Sequence, residues 1–229
     1  MSFRLAVCNE LFEKRDFAEG CRITRQAGWP GLELAPFTLA ENATTLTPAQ
    51  RDHYRDVMAS EGVEFVGLHW LMVGPPGLHV TTPDAAVRRR SWDYVAGLVD
   101  LCADLGPNGV MVFGSPKQRS STGGLSPAEA TGHFVDGIAS IAPRAQERGV
   151  TICVEPLSRA QTDVLLSLDE AASMVVEIAS PAVRTMYDSH NAIDETEPHE
   201  RLVDRHFGDR KSTRLNSSHI QKSRMPSSA

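Results

Sequence analysis

Apolar positions along this chain fall into two alternating rhythms. Short runs with no polar alternation, such as Leu5-Ala-Val-Cys8, Val110-Met-Val-Phe113 and Ile152-Cys-Val154, read as parallel strands covered on both faces. Between them lie longer stretches with apolar residues at helical spacing, as at Val87, Tyr94, Leu98, Leu101 and Cys102. The pattern predicts strands over residues 4–10, 32–34, 64–69, 109–113, 151–154 and 183–187, the last two leading to Glu155 and Asp188. It predicts helices over 17–26, 48–61, 83–105, 126–148, 168–178 and 198–206, with a polar loop at 114–119. The punctuation agrees. Asp16 stands as an N-cap, and Ser167 does so with Glu170 three residues on, as in a capping box. Thr47-Pro48 and Ser126-Pro127 open helices, while Gly28, Gly62, Gly106-Pro107 and Gly149 close them.

The unit of helix, glycine, apolar strand and polar strand end recurs six times, at spacings of roughly 27 to 45 residues. Strands alternating with helices imply right-handed βαβ units and a parallel sheet. An open, doubly wound sheet is the competitor, but no G-x-G-x-x-G follows the first strand, so a dinucleotide-binding fold loses its main signature. Polar residues at successive strand ends favour a (β/α)8 TIM barrel, an α/β fold in which every strand end faces one mouth. About six of its eight units are present.

Composition changes this picture little. A 229-residue chain that is 41% apolar and 23% charged can bury a sizeable core. Its net charge of -6 argues against a nucleic-acid partner or an anionic membrane. No run is long enough to span a bilayer and no secretory leader is read, so the expected location is the cytoplasm, with no membrane partner. Cys8, Cys21, Cys102 and Cys153 show no paired metal spacing and read as reduced core residues.

The far C-terminus does not belong to the repeat. Residues 209–229 lack apolar periodicity and are rich in Ser, Lys and Arg. Asp209-Arg-Lys-Ser-Thr-Arg-Leu-Asn-Ser-Ser-His219 also reads as the conceptual translation of a common sequencing adapter. The expectation is a partial barrel over 1–208 followed by a non-native, disordered tail.

Chemistry gathers at the strand ends. Glu33, His69, Glu155, Asp188 and His190 would lie near the mouth, and in extended chain Asp188 and His190 would face the same side. Two carboxylates with histidine make an oxygen-rich donor set that suits Mn²⁺, Mg²⁺ or Co²⁺, with Zn²⁺ also allowed. Lys117 and Arg119, in the loop after the fourth strand, could clamp a phosphate or carboxylate on the substrate.

Val154-Glu-Pro-Leu-Ser-Arg159, Gly67-Leu-His-Trp70, Leu32-Glu-Leu-Ala-Pro36 and Tyr187-Asp-Ser-His-Asn191 resemble the xylose-isomerase-like TIM-barrel superfamily. Within it they are most similar to the sugar-phosphate isomerase/epimerase group of ketose 3-epimerases and hydroxypyruvate isomerases. The resemblance covers residues 3 to 208 and implies a site holding one divalent metal, foremost Mn²⁺, between Glu, Asp, His and Glu. Glu155 matches the first and Asp188 the second; the other two would fall beyond Gly208. It implies that the metal chelates an α-hydroxyketone and that a glutamate moves a proton through a metal-bound enediolate. Glu155 matches one of that acid/base pair. Arg159 matches an arginine beside the metal glutamate, and His69 a position near the substrate oxygens. Gln161 stands where some ketose epimerases carry a substrate-binding Glu. The family's Asp-x-x-His is displaced here, so His190 carries over weakly.

The reading is therefore an isomerase or epimerase of a sugar, sugar phosphate or small hydroxy-keto acid, with the 229-residue chain itself expected to be inactive. A keto-inositol dehydratase-like lyase is the runner-up, ahead of a non-catalytic sugar-binding barrel and an apurinic-site endonuclease. Nothing in these motifs sets the oligomeric state, although a homo-oligomer is compatible with them.

Overall fold

The computed structural model describes residues 5–207. Six strands form one parallel sheet: β1 (Ala6–Cys8), β2 (Gly31–Leu34), β3 (Glu64–Leu68), β4 (Val110–Phe113), β5 (Thr151–Val154) and β6 (Val183–Thr185). Their spatial order is their order in sequence, and every neighbouring pair is parallel. A doubly wound sheet reverses its order at a switch point. This one never does, so the architecture is a partial TIM barrel.

The connections carry α1 (Phe17–Gln26), α2 (Pro48–Glu61), α3 (Ala85–Leu105), α4 (Pro116–Arg119), α5 (Pro127–Glu147), α6 (Leu168–Ile178) and α7 (His199–Phe207). Their starts follow from side-chain caps. Asp16 accepts from the Ala18 and Glu19 amides, and Thr47 and Ser126 form capping boxes with Gln50 and Glu129. The polar loop expected at 114–119 contains the short helix α4, which Pro116 opens. Among the described residues no helix is long and apolar enough to cross a membrane.

Strand parity divides the core. Leu32, Leu34, Leu68, Met111, Phe113, Ile152, Val154 and Val183 pack outward, into the same cluster as Leu98, Leu101, Phe134 and Ile138 of the helices. Val110, Val112, Cys153 and Met186 form a separate cluster on the other face. Each fully buried Leu, Ile or Phe contributes about 1.5–3 kcal/mol relative to exposure. Because side chains alternate, the residue after Val154 must turn to the Cys153 side. That residue is Glu155.

At Gly67 there is no room for a side chain: an added Cβ would stand 1.8 Å from the Val110 carbonyl oxygen. Across the adjacent pair, the β2–β3 register slips between Leu32 and Glu33. Such an irregularity re-aims the side chain next to it, here Glu33.

Candidate active site

Four titratable side chains, one on β2 and three beyond the ends of β3, β5 and β6, are buried together. Glu33 (2% exposed) lies on β2, His69 (4%) follows β3, Glu155 (3%) follows β5 and Asp188 (8%) lies beyond β6. His69 Nδ1 is 3.3 Å from Glu33 Oε2, and its ring stacks on Trp70 with centroids 5.7 Å apart. Trp70 has φ of +55°, an uncommon value for a bulky residue, and it turns the chain away directly after His69.

Glu155 and Asp188 are joined through one amide group. Asn191 Nδ2 donates to Glu155 Oε1 at 3.0 Å and to Asp188 Oδ2 at 2.8 Å. Gln161 Nε2 donates in turn to Asn191 Oδ1 at 2.9 Å. Gly114 leaves room for the second Glu155 oxygen, since a Cβ there would lie 2.2 Å from Oε2.

Burial pushes the Glu155 carboxyl up to about 7. The charges of His69 and Arg119 pull it down, while the Asp188 carboxylate, by charge and by hydrogen bonding, pushes it further up. Burial alone would lower His69. The hydrogen bond and charge of Glu33, then the charges of Glu155 and Glu10, outweigh it and leave the ring raised. A carboxyl that titrates near neutrality can both take and return a proton.

The rim is fastened on both sides of Glu155. Ser120 Oγ donates to Thr162 Oγ1 at 3.1 Å and the Ser121 amide to Asp163 at 2.8 Å, tying the segments after β4 and β5. From beyond β6, Asp194 accepts from the Arg159 amide at 2.6 Å and Glu195 from the Leu168 amide at 2.7 Å.

Several sequence expectations change here. Arg119 is not a substrate clamp: it has no exposed surface. Its guanidinium donates to the carbonyls of Phe113 (3.2 Å), Glu155 (2.8 Å) and Leu165 (3.4 Å) and lies 5.5 Å from the centre of the Phe134 ring. Burial lowers its pKa to about 10, against the favourable charge of Glu155. Lys117, two residues earlier, is exposed, so the two cations do not form one anion site. Asp188 and His190 do not share a face of extended chain. The His190 amide donates to Asp188 Oδ1 at 2.8 Å, which bends the chain into a turn, and the His190 side chain is exposed. The Arg159 side chain is exposed as well, while Gln161 reaches the cluster through Asn191.

Sequence reasoning missed Asn191. The signal was the composition of Asp188-Ser-His-Asn191, whose Asp, Ser and Asn favour a turn over a strand. A turn delivers the third residue after Asp188, rather than the second, to the Asp188 side.

Glu155 and Asp188 fit a hard, oxygen-seeking divalent cation, since both are carboxylates that converge on one small donor. Among the described residues no group of three or more His, Cys, Asp or Glu could hold a metal ion. The positions expected beyond Gly208 lie outside the described residues. Two cavities, of about 380 Å³ beside Arg88, Trp92 and His133 and about 250 Å³ beside Asn9, Phe17 and Tyr54, lie away from this cluster.

A family model described as the xylose isomerase-like TIM barrel matches residues 21–227. The chain belongs to that family. Similar solved structures include D-psicose 3-epimerase in the presence of D-fructose, with 17% identity and a TM-score of 0.74 over 88% of this chain and 68% of that one. D-psicose 3-epimerase from Clostridium cellulolyticum H10 with D-tagatose has 15% identity and a TM-score of 0.75, over 89% and 71% of the two chains. 3-Keto-D-glucoside 4-epimerase from E. coli has 15% identity and a TM-score of 0.74, over 90% and 75%. At these identities the likeness is one of fold. No curated protein matches the chain.

Proposed function

We propose that this barrel serves a divalent-metal-dependent isomerase or epimerase acting on a sugar, sugar phosphate or small hydroxy-keto acid. The observation that carries the reading is the pair Glu155 and Asp188, buried carboxylates beyond adjacent strands that share one donor, with Glu155 raised to about 7. Epimerases among the structural neighbours support the substrate class. In this reading Glu155 and Asp188 hold the cation, with Mn²⁺ the first choice. When bound, it supplies Lewis acidity toward a carbonyl and its neighbouring hydroxyl. Glu155 takes and returns the proton on the carbon beside that carbonyl. His69, fixed by Glu33 and stacked on Trp70, faces the substrate oxygens. With the two described carboxylates alone, cation binding is weak.

The test is a Mn²⁺ titration followed by electron paramagnetic resonance, without and with a ketose, a ketose phosphate and hydroxypyruvate. The reading expects a bound Mn²⁺ signal that Glu155→Gln and Asp188→Asn abolish and that at least one of these compounds perturbs. Mn²⁺ binding indifferent to both substitutions sinks it. Loss of water from a keto-inositol would move the assignment to the dehydratase class.

A further inference from the structure

When both are ionised, two buried carboxylates side by side repel one another, so a donor has to hold them in register. A carboxylate only accepts hydrogen bonds. The Asn191 amide must therefore turn its NH₂ toward Glu155 and Asp188, as it does at 3.0 and 2.8 Å. Its carbonyl oxygen then points away and needs a donor, and Gln161 supplies one at 2.9 Å. The reverse orientation would set an oxygen against two carboxylates, so the carboxylates fix how the Asn191 amide is turned, and Gln161 satisfies the oxygen left behind it.

The turn supports the same geometry. Asp188 uses Oδ1 on the His190 amide at 2.8 Å and its carbonyl oxygen on the Ala192 amide at 3.0 Å. That leaves Oδ2 for Asn191. Asn191 is itself buried, so the chain spends a satisfied polar group where an apolar one would pack more simply.

We infer that Asn191, braced from behind by Gln161, is a positioning residue that sets the spacing and direction of the Glu155 and Asp188 carboxylates. What those carboxylates do rests on the proposed function; that they are held does not. Groups that orient metal ligands from behind change metal affinity by roughly 10- to 100-fold when removed. A residue that only closes the turn would be indifferent to Gln161, whose side chain touches neither carboxylate in the described bonds.

The test compares Asn191→Ala, Gln161→Met and the double variant with the wild-type chain. Gln161 lies half-buried in a turn outside every helix and strand, so its variant keeps the fold even if Asn191→Ala does not. Two measurements are made: Mn²⁺ affinity by electron paramagnetic resonance, and the crystal structure of each variant. Each single variant is expected to weaken Mn²⁺ binding at least tenfold, the double variant no more than Asn191→Ala alone. Glu155 Oε1 and Asp188 Oδ2 are expected to leave their wild-type positions in Gln161→Met. Carboxylates unmoved in that crystal structure overturn the inference whatever the Mn²⁺ result, as does wild-type affinity in either single variant. If the wild-type chain binds no Mn²⁺, the metal-dependent function fails, and the position of the carboxylates in Gln161→Met still decides the inference.

Discussion

A guanidinium with no exposed surface, placed under the carbonyls of Phe113, Glu155 and Leu165, fastens two strand ends and the loop that follows β5. Arg119→Met fills much of the same space but leaves those carbonyls without their donor. Unsatisfied buried acceptors cost about 1–3 kcal/mol each, partly relieved by relaxation, so a loss of about 2–4 kcal/mol is expected in urea unfolding. A loss under 1 kcal/mol would show that the clamp is incidental. Glu155 gives a second prediction at this scale. Its carboxyl titrates at about 7 when folded and near the usual 4.5 when unfolded, so the folded chain binds the proton more tightly. That contribution is complete below pH 4.5 and is lost as pH rises through 7, a change of about 3 kcal/mol. The raised His69 acts in the same direction. Glu155→Gln is therefore expected to gain stability relative to wild type between pH 4.5 and 7.5; parallel pH profiles in denaturant unfolding would refute the shift. Of these candidate residues, Glu155 was legible in sequence because it ends a fully apolar run that reads as a buried strand, and Asp188 because it lies just past another strand. Arg119 was not, because a charge in a polar stretch carries no sign of the carbonyls that will surround it. Asn191 was not, because a strand carried through Asp188 hides the turn that brings it in.

Helices were easier to read than strands. The bounds 17–26 and 168–178 agree with α1 and α6 because a side-chain cap fixes each start locally. The first strand, expected over 4–10, stops at Cys8, and the last, expected over 183–187, stops at Thr185. At the first, Asn9 leaves the ladder to accept from the Ala35 amide at 2.8 Å and to donate to Thr38 at 2.8 Å, partners too distant in sequence for any local pattern to show. The elements also differ in how they are held. β3 and β4 meet backbone to backbone at Gly67, so Gly67→Ala must push them apart and is expected to cost about 3 kcal/mol. On the outer surface, Arg51, Asp104, Arg148, Asp100 and Arg144 form a chain of ion pairs across α2, α3 and α5. These groups are partly exposed, so Asp104→Asn is expected to cost about 1 kcal/mol or less. Thermal unfolding of the two variants compares them directly; an Asp104→Asn loss larger than that of Gly67→Ala would reverse the ranking of close strand packing over surface charge.

At the scale of the molecule, the site and the sheet are one object. Glu155 continues β5 and Asp188 lies three residues beyond β6, and these strands are neighbours, so a cation held by both carboxylates also ties two strand ends. A ligand that binds only the folded chain stabilises it by RT ln(1 + [L]/Kd), about 1.4 kcal/mol at ten times Kd. For a domain of this size that raises Tm by roughly 3–5 °C. The melting temperature of the wild-type chain is therefore expected to climb with the logarithm of Mn²⁺ concentration, and to stay flat for Glu155→Gln and Asp188→Asn. If both variants climb as the wild type does, the cation binds elsewhere and the carboxylate pair is a structural feature of the barrel rather than its chemistry. If none of the three climbs, two carboxylates do not suffice to capture Mn²⁺, and the proposed metal-dependent function loses its support in this chain. A climb confined to the wild type would show that the contact between these two strand ends is where this fold takes up its metal.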